Sequence, residues 1–454
     1  MPIANTLRSF FMRRIADPAR RDARRVSAEA KRLKDRRPHE VLYFHQPDDP
    51  YSHLAAQALR PFLQRYDVRL VPHIVDKPTP IAIHEQTLWD NCARRECAAM
   101  APFYGLHYAD HGVPDAALTD LARRILLRIE TAGALGAPYD FPEIAVAVGE
   151  ALNTGDAARM KALSGKRGAA DPTAARNRLE ENFQLRHRLG HYLGAMFFYE
   201  GEWYWGIDRL HHLEARLDAL GARHADAPAG ASVTRAPRYA REAITRGESD
   251  QAKLKLEFFP SLRSPYTHLS YDRVAELAQR YPIDLVVRPV LPMMMRGVKA
   301  DRRKGVYILQ DTKREAERLG IPFGNIWDPF GDPVRRAYSL FPWARDRGKG
   351  LEYLHQYSLA VWSERVNTWS LQGLQSIVER AGLPWEEARP LVDNRDWEDE
   401  FERNVADMLA AGSWGVPTLR LIATDGEPEF TVWGQDRIWL IEEEIARRHS
   451  LHHV

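Results

Sequence analysis

A serine followed by proline and tyrosine, Ser264-Pro265-Tyr266, stands just after the apolar run LKLEFF and opens a helical pattern. Serine before proline suits a helix start, because the hydroxyl caps free amides and proline fits the first helical position. The same hydroxyl sits in the positive field of the helix N-terminus, where it can donate to a thiolate and lower a thiol's pKa. The two roles are compatible. A second element, Gly415-Val416-Pro417-Thr418, opens a strand. It reads either as a plain loop-to-strand transition or as a cis-proline that presents the Val416 backbone to an extended peptide. A third, Gly434-Gln435-Asp436-Arg437, begins the last helix. Asp436 there either favours the helix dipole or joins free amides in holding an amino-acid-like ligand end. In a fourth, Lys304, Tyr307, Asp311 and Arg314 share one helix face. That face is either solvated and laced with salt bridges or a polar lining for an acidic substrate.

Such groups need elements to position them, and the chain supplies the same set twice. Tyr43 to Leu54 reads YFHQPDDPYSHL, and Phe258 to Leu269 reads FFPSLRSPYTHL, 215 positions later. Each continues into an apolar-periodic helix and then a β-rich run, VRLVPHIV or IDLVVRPV. Near the ends, WGIDRL from Trp205 matches WGQDRI from Trp433. Each copy therefore reads strand, helix, strand, a long helical stretch, two strands and a helix, an α/β pattern. A helical stretch of roughly 100 residues inside such a pattern is an all-helical insertion, not a loop. The expected boundaries are a basic arm over 1–38, a first domain over 39–220, an Ala/Gly/Pro/Ser-rich linker over 221–251 and a second domain over 252–454.

Composition narrows the function. With 454 residues the chain exceeds one hydrophobic core. A net charge of +2 argues against nucleic acid as a partner, and no apolar stretch is long enough for a membrane span. The arm reads as a solvated basic helix or as a contact for an acidic surface or lipid. It lacks the apolar segment of a secretory signal. Cys92 and Cys97, the two cysteines, do not share a helix face and read as small core residues. These features point to a cytoplasmic protein without a disulfide framework, and no metal is expected.

Taken in this order, the four elements resemble 2-hydroxychromene-2-carboxylate isomerases and kappa-class glutathione transferases, within the DsbA-like thioredoxin superfamily. The resemblance covers residues 254–449 and the outline of the first copy. It implies two tandem thioredoxin-like domains, each with a large all-helical insertion, packed as an intrachain pseudo-dimer. It implies glutathione as cofactor, with Ser264 on the sulfur, Pro265 and Tyr266 beside it, Val416 and Pro417 on the cysteinyl backbone, and Gln435 and Asp436 on the γ-glutamyl end. Lys304, Tyr307 and Arg314 would orient a small aromatic-derived carboxylate while the thiolate adds, permits bond rotation and leaves. The run LPMMMRG, Leu291 to Gly297, departs from the family near the glycyl arm; it reads as core or as an adaptable apolar wall. A serine at position 264 excludes dithiol exchange there. The alternative readings are a thioredoxin-fold module that binds without catalysis and a DsbA-family protein without dithiol activity. The first copy is expected not to bind glutathione, since Asp49 replaces Ser264, Gly194-Ala195-Met196 faces Gly415-Val416-Pro417, and Ile207 replaces Gln435.

Overall fold

The computed structural model describes all residues except 1, 135–139, 228–231, 234–253, 300, 423–425 and 452–454, so most of the expected linker lies outside the described residues. The chain divides into two compact units, residues 21–237 and residues 238–454 together with 1–20. The arm is thus shared between them. Its helices are α1 (Pro2–Ile15) and α2 (Pro18–Lys34), and α1 belongs to the second unit.

The first unit is built on β1 (His39–His45), α3 (Pro50–Arg65) and β2 (Val68–Ile74). Then come α4 (Gln86–Met100), α5 (Ala116–Ala134), α6 (Phe141–Asn153), α7 (Ala157–Arg167) and α8 (Pro172–Leu189). The chain returns through the hairpin β3 (Met196–Tyr199) and β4 (Glu202–Trp205) and closes on α9 (Gly206–Ala219). The sheet order is β2-β1-β3-β4, with β1 and β2 parallel and the other pairs antiparallel. Cys92 and Cys97 are buried and form no disulfide, as small core residues would be.

The second unit repeats that order. Strand β5 (Leu254–Phe259) leads to α10 (Pro265–His268) and α11 (Tyr271–Arg280), then to β6 (Ile283–Val287). Helices follow as α12 (Arg302–Leu319), α13 (Asp332–Ser339), α14 (Phe341–Asp346), α15 (Gly350–Trp362), α16 (Leu371–Arg380), α17 (Trp385–Ala388) and α18 (Glu398–Ala410). Strands β7 (Thr418–Ile422) and β8 (Phe430–Trp433) precede α19 (Ile438–Leu451). The sheet order β6-β5-β7-β8 has the same strand directions as the first sheet. One difference lies after the first strand. Helix α3 is continuous, whereas its counterpart breaks between α10 and α11. There the Ser270 hydroxyl donates to the Tyr266 carbonyl and Arg273 donates to the Leu269 carbonyl, so side chains compete for the backbone of the helix.

Strand pairing also corrects the register between the two units. Phe44 pairs with Met196 and Met196 with Trp205; Phe259 pairs with Thr418 and Thr418 with Trp433. Met196 therefore matches Thr418, and Pro417 matches Ala195 rather than Met196. The Gly206 amide donates to the Ala195 carbonyl at 2.7 Å, just as the Gly434 amide donates to the Pro417 carbonyl at 2.9 Å. The one-residue slip arose because Gly194 and Gly415 look equivalent in sequence, while the pairing of the flanking strands decides.

Candidate functional site

The site of the second unit begins where β5 runs into α10. Ser264 is the N-cap of α10: its Oγ accepts from the Thr267 amide at 3.2 Å, and Pro265 takes the first helical position. The turn before it is fixed from the helical insertion. The Tyr338 hydroxyl accepts from the Leu262 amide at 3.0 Å and donates to the Val290 carbonyl at 3.1 Å; Trp362 Nε1 donates to the Leu262 carbonyl at 3.3 Å. Both rings are buried. The cap is therefore placed by packing and not by a mobile loop.

Opposite stands the start of β7. The Val416–Pro417 peptide bond is cis. Ser264 Oγ donates to the Val416 carbonyl at 3.4 Å. Val416 is half-buried, and among the described residues its N–H makes no hydrogen bond within the chain. Gly415 must be glycine, because a Cβ there would lie 2.5 Å from Trp433 Nε1. A capping hydroxyl, a helix N-terminus and an open backbone N–H thus converge, which suits a thiol-bearing extended backbone.

The helical face reads differently from the expectation. Tyr266 donates its hydroxyl to Asp311 Oδ2 at 2.8 Å, and Asp311 is fully buried. Arg314, 5% exposed, pairs with the other oxygen of Asp311 at 3.2 Å. Arg314 is therefore drawn into a buried ion pair instead of lining an open pocket for an acid. Tyr307 is also buried, at 5% exposure. Lys304 is half-buried, with Nζ 4.4 Å from the centroid of the Trp414 ring. Burial lowers its ammonium to about 8, opposed by Asp301.

At the last turn, Gln435 is fully buried. Its Oε1 accepts from Arg273 at 2.5 Å and its Nε2 donates to Glu315 at 3.1 Å. The side chain expected on a ligand is instead an internal brace. Asp436, at the start of the final helical turns, keeps 16% of its side-chain surface exposed and lies 3.7 Å from Arg437 Nη1. His268, shared in position with His53, bonds Ser358 and the Pro322 carbonyl at 2.9 Å each; burial lowers its pKa to about 4. It is a neutral strut.

Three residues the sequence reading missed flank Ser264. Arg263 donates from Nε to Asp328 Oδ1 at 2.9 Å, and Arg8 of α1 donates to Oδ2 at 2.6 Å. Both guanidiniums lie over the Phe330 ring, at 5.2 Å for Arg8 and 4.8 Å for Arg263. Asp328 has no exposed side-chain surface. Arg263 also approaches Met294 Sδ at 3.3 Å. Met293–Arg296 forms one tight helical turn with Met294 43% exposed, so the methionine run is a wall and not core. Arg263 directly precedes Ser264 and was visible on that ground; the distant Arg8 and Asp328 carried no sequence signal.

The matching place in the first unit is built differently. Asp49 caps α3 through the amides of Tyr51 and Ser52 and the Ser52 hydroxyl. Burial pushes its carboxyl up to about 7. Gly194 presses on it, since a Cβ there would lie 2.6 Å from Gln46 Cβ and 3.3 Å from Asp49 Oδ2. Trp89, which matches Lys304 in register, stacks on Trp205 with centroids 6.0 Å apart.

Residues 255–446 match the family model of the DsbA-like thioredoxin domain. Glutathione S-transferase kappa 1 of Rattus norvegicus is 23% identical over 204 residues, 41% of this chain and 88% of that protein. The 2-hydroxychromene-2-carboxylate isomerase of Pseudomonas putida is 22% identical over 201 residues, 42% of this chain and 94% of that protein. Among solved structures, a 2-hydroxychromene-2-carboxylate isomerase superposes with a TM-score of 0.37 at 20% identity, covering 44% of this chain and 98% of that one. The cytosolic disulfide reductase DsbM of Pseudomonas aeruginosa with GSH gives 0.34 at 19%, covering 43% and 100%. The chain thus contains a DsbA-like thioredoxin domain in its C-terminal half. No helix among the described residues is long and apolar enough to cross a membrane.

Proposed function

We propose that the second unit is a glutathione-dependent isomerase or transferase, and that the first unit is a diverged duplicate without a glutathione site. The observation that carries the reading is the Ser264 hydroxyl, 3.4 Å from the Val416 carbonyl at a helix N-terminus. The Val416 backbone would take the cysteinyl part of glutathione in an extended pose. Ser264 would then turn its hydroxyl from the Val416 carbonyl to the sulfur, and with the helix end hold the thiolate. Asp436 would meet the γ-glutamyl amine, while Gln435 shapes that turn from beneath. Glutathione supplies the nucleophile, which adds to an electrophilic small molecule. The glutathione transferase and isomerase relatives favour a small-molecule electrophile over a protein partner.

The duplicate reading rests on bonds repeated 215 residues apart. The Asp49 amide donates to the Gln46 carbonyl at 3.1 Å, and the Ser264 amide to that of Ser261 at 3.0 Å. Val75 donates to His45 and Val290 to Pro260, both at 2.9 Å. Tyr51 donates to Glu96 at 2.9 Å as Tyr266 does to Asp311. The test is retention of the full chain on immobilised glutathione, elution by free glutathione, and conversion of 2-hydroxychromene-2-carboxylate only when glutathione is added. Failure of both retention and conversion would leave a binding module as the better reading.

Lys304 gives a pH dependence. Its ammonium would face the substrate's acid group, and its folded pKa is depressed to about 8. The charged form is therefore lost as pH rises through 8, and KM for an anionic substrate should rise above that pH. In Lys304→Met the KM should be raised at pH 7 and no longer change between pH 7 and 9, measured by initial rates at saturating glutathione. The stability sign is opposite. Folding disfavours the lysine's charge, so its destabilising contribution, present below pH 8, fades towards the ordinary lysine range.

A further inference from the structure

Helix α1 is turned inside out. Its polar side is docked: Asn5 and Ser9 are buried, with 2% and 0% exposure. Asn5 donates to the carbonyls of Asp328 and Phe330 at 2.8 and 2.9 Å, Ser9 accepts from the Asp328 amide at 2.8 Å, and Arg13 donates to the Ile326 carbonyl at 3.0 Å. The apolar side faces water. Ile3, Leu7, Phe10 and Phe11 are 76%, 55%, 46% and 59% exposed, a stripe at helical spacing. An ordinary surface helix shows the reverse arrangement. Hydrogen bonds to backbone carbonyls hold the helix in this orientation, so the stripe is presented and not merely left over.

Charge indicates what the stripe meets. Residues 1–20, the part of the arm in the same unit as the stripe, contain four Arg against one Asp, a net +3 in a chain whose total is +2. Arg14 and Arg20 are exposed, and Arg14 lies 5.4 Å from the Phe10 ring centroid, at the border of the stripe. A second copy would bring two such arms together and repel. Nucleic acid would use the cations and leave the leucine and phenylalanines in water. Large apolar side chains bordered by arginine are the pattern of a helix lying in the boundary of an anionic bilayer.

We propose that α1 is an interfacial anchor that docks the protein on membranes bearing anionic lipid, with Ile3, Leu7, Phe10 and Phe11 entering the acyl boundary. The inference is independent of the glutathione reading. The test is co-sedimentation of the full chain with phosphatidylcholine vesicles, with and without roughly a third phosphatidylserine. The expected result is binding to the anionic vesicles at least about tenfold tighter than to the neutral ones, weakened by salt. The triple variant Leu7→Ser, Phe10→Ser, Phe11→Ser keeps the docked polar side; it should bind at least about tenfold more weakly with an unchanged melting temperature. Wild-type protein remaining in the supernatant with both vesicles would overturn the proposal. So would equal binding by the variant, a self-association or a DNA complex that the same variant abolishes in place of vesicle binding.

Discussion

Ser264→Ala should lower glutathione-dependent turnover by about 10²–10³-fold, the scale on which one preorganised donor to a reacting anion acts. Its effect on glutathione affinity should be far smaller, because the backbone of Val416 and the α10 end remain. The distinction lies in what the hydroxyl does. As a cap it accepts from the Thr267 amide at 3.2 Å, and losing that bond costs about 1 kcal/mol. As a donor its proton goes to the Val416 carbonyl at 3.4 Å, a long bond that a nearby thiolate can replace at little cost. A fall in kcat with a small change in KM and a melting temperature lowered by only a few degrees would separate the two roles. Unchanged kcat would remove Ser264 from the chemistry and leave it a cap.

The second large effect is on stability. Asp328→Ala should destabilise the second unit by about 3 kcal/mol, read from denaturant unfolding. The carboxylate is fully buried and holds Arg263 and Arg8, so its loss strands two guanidiniums. The lower end of the usual range applies because Arg8 and Arg263 keep 38% and 19% of their side-chain surface in water. The same variant should loosen α1, since Arg8 loses its partner while the Asn5 and Ser9 bonds to the 328–330 backbone remain. Glutathione turnover should fall as well, because Arg263 directly precedes the cap. A variant as stable as the wild type would show that the clamp is a surface contact of little weight.

How much of this was legible in the sequence follows from where each signal lies. Strand, helix and hairpin patterns are local, and the repeat of YFHQPDDPYSHL in FFPSLRSPYTHL anchored both sheets at the right offset. The Val416–Pro417 turn was legible because proline limits the backbone choices. The register at β3 and β7 was not, since two glycines one residue apart gave equal local evidence and only strand pairing separates them. Arg314 and Gln435 were read as ligand contacts from residue type and position. Their occupation by Asp311, Arg273 and Glu315 depends on partners across the fold that no spacing rule reveals. The docking of α1 through Asn5, Arg8 and Ser9 was hidden for the same reason: the arm reads as a solvated basic helix or a contact for an acidic surface or lipid, and its polar partners at residues 328–330 lie more than 300 positions away.

Under the proposed function each chain holds one glutathione, with the sulfur kept as thiolate beside Ser264. Calorimetric titration of the full chain with glutathione, paired with ultraviolet thiolate absorbance across pH, tests it directly. One molar equivalent should bind, with a bound-thiol pKa at least about one unit below the ordinary cysteine value of roughly 8.5, the shift disappearing in Ser264→Ala. Two equivalents would mean that the place at Asp49 and Gly194 in the first unit binds as well. No binding, or one equivalent with an unshifted thiol, would contradict the site itself.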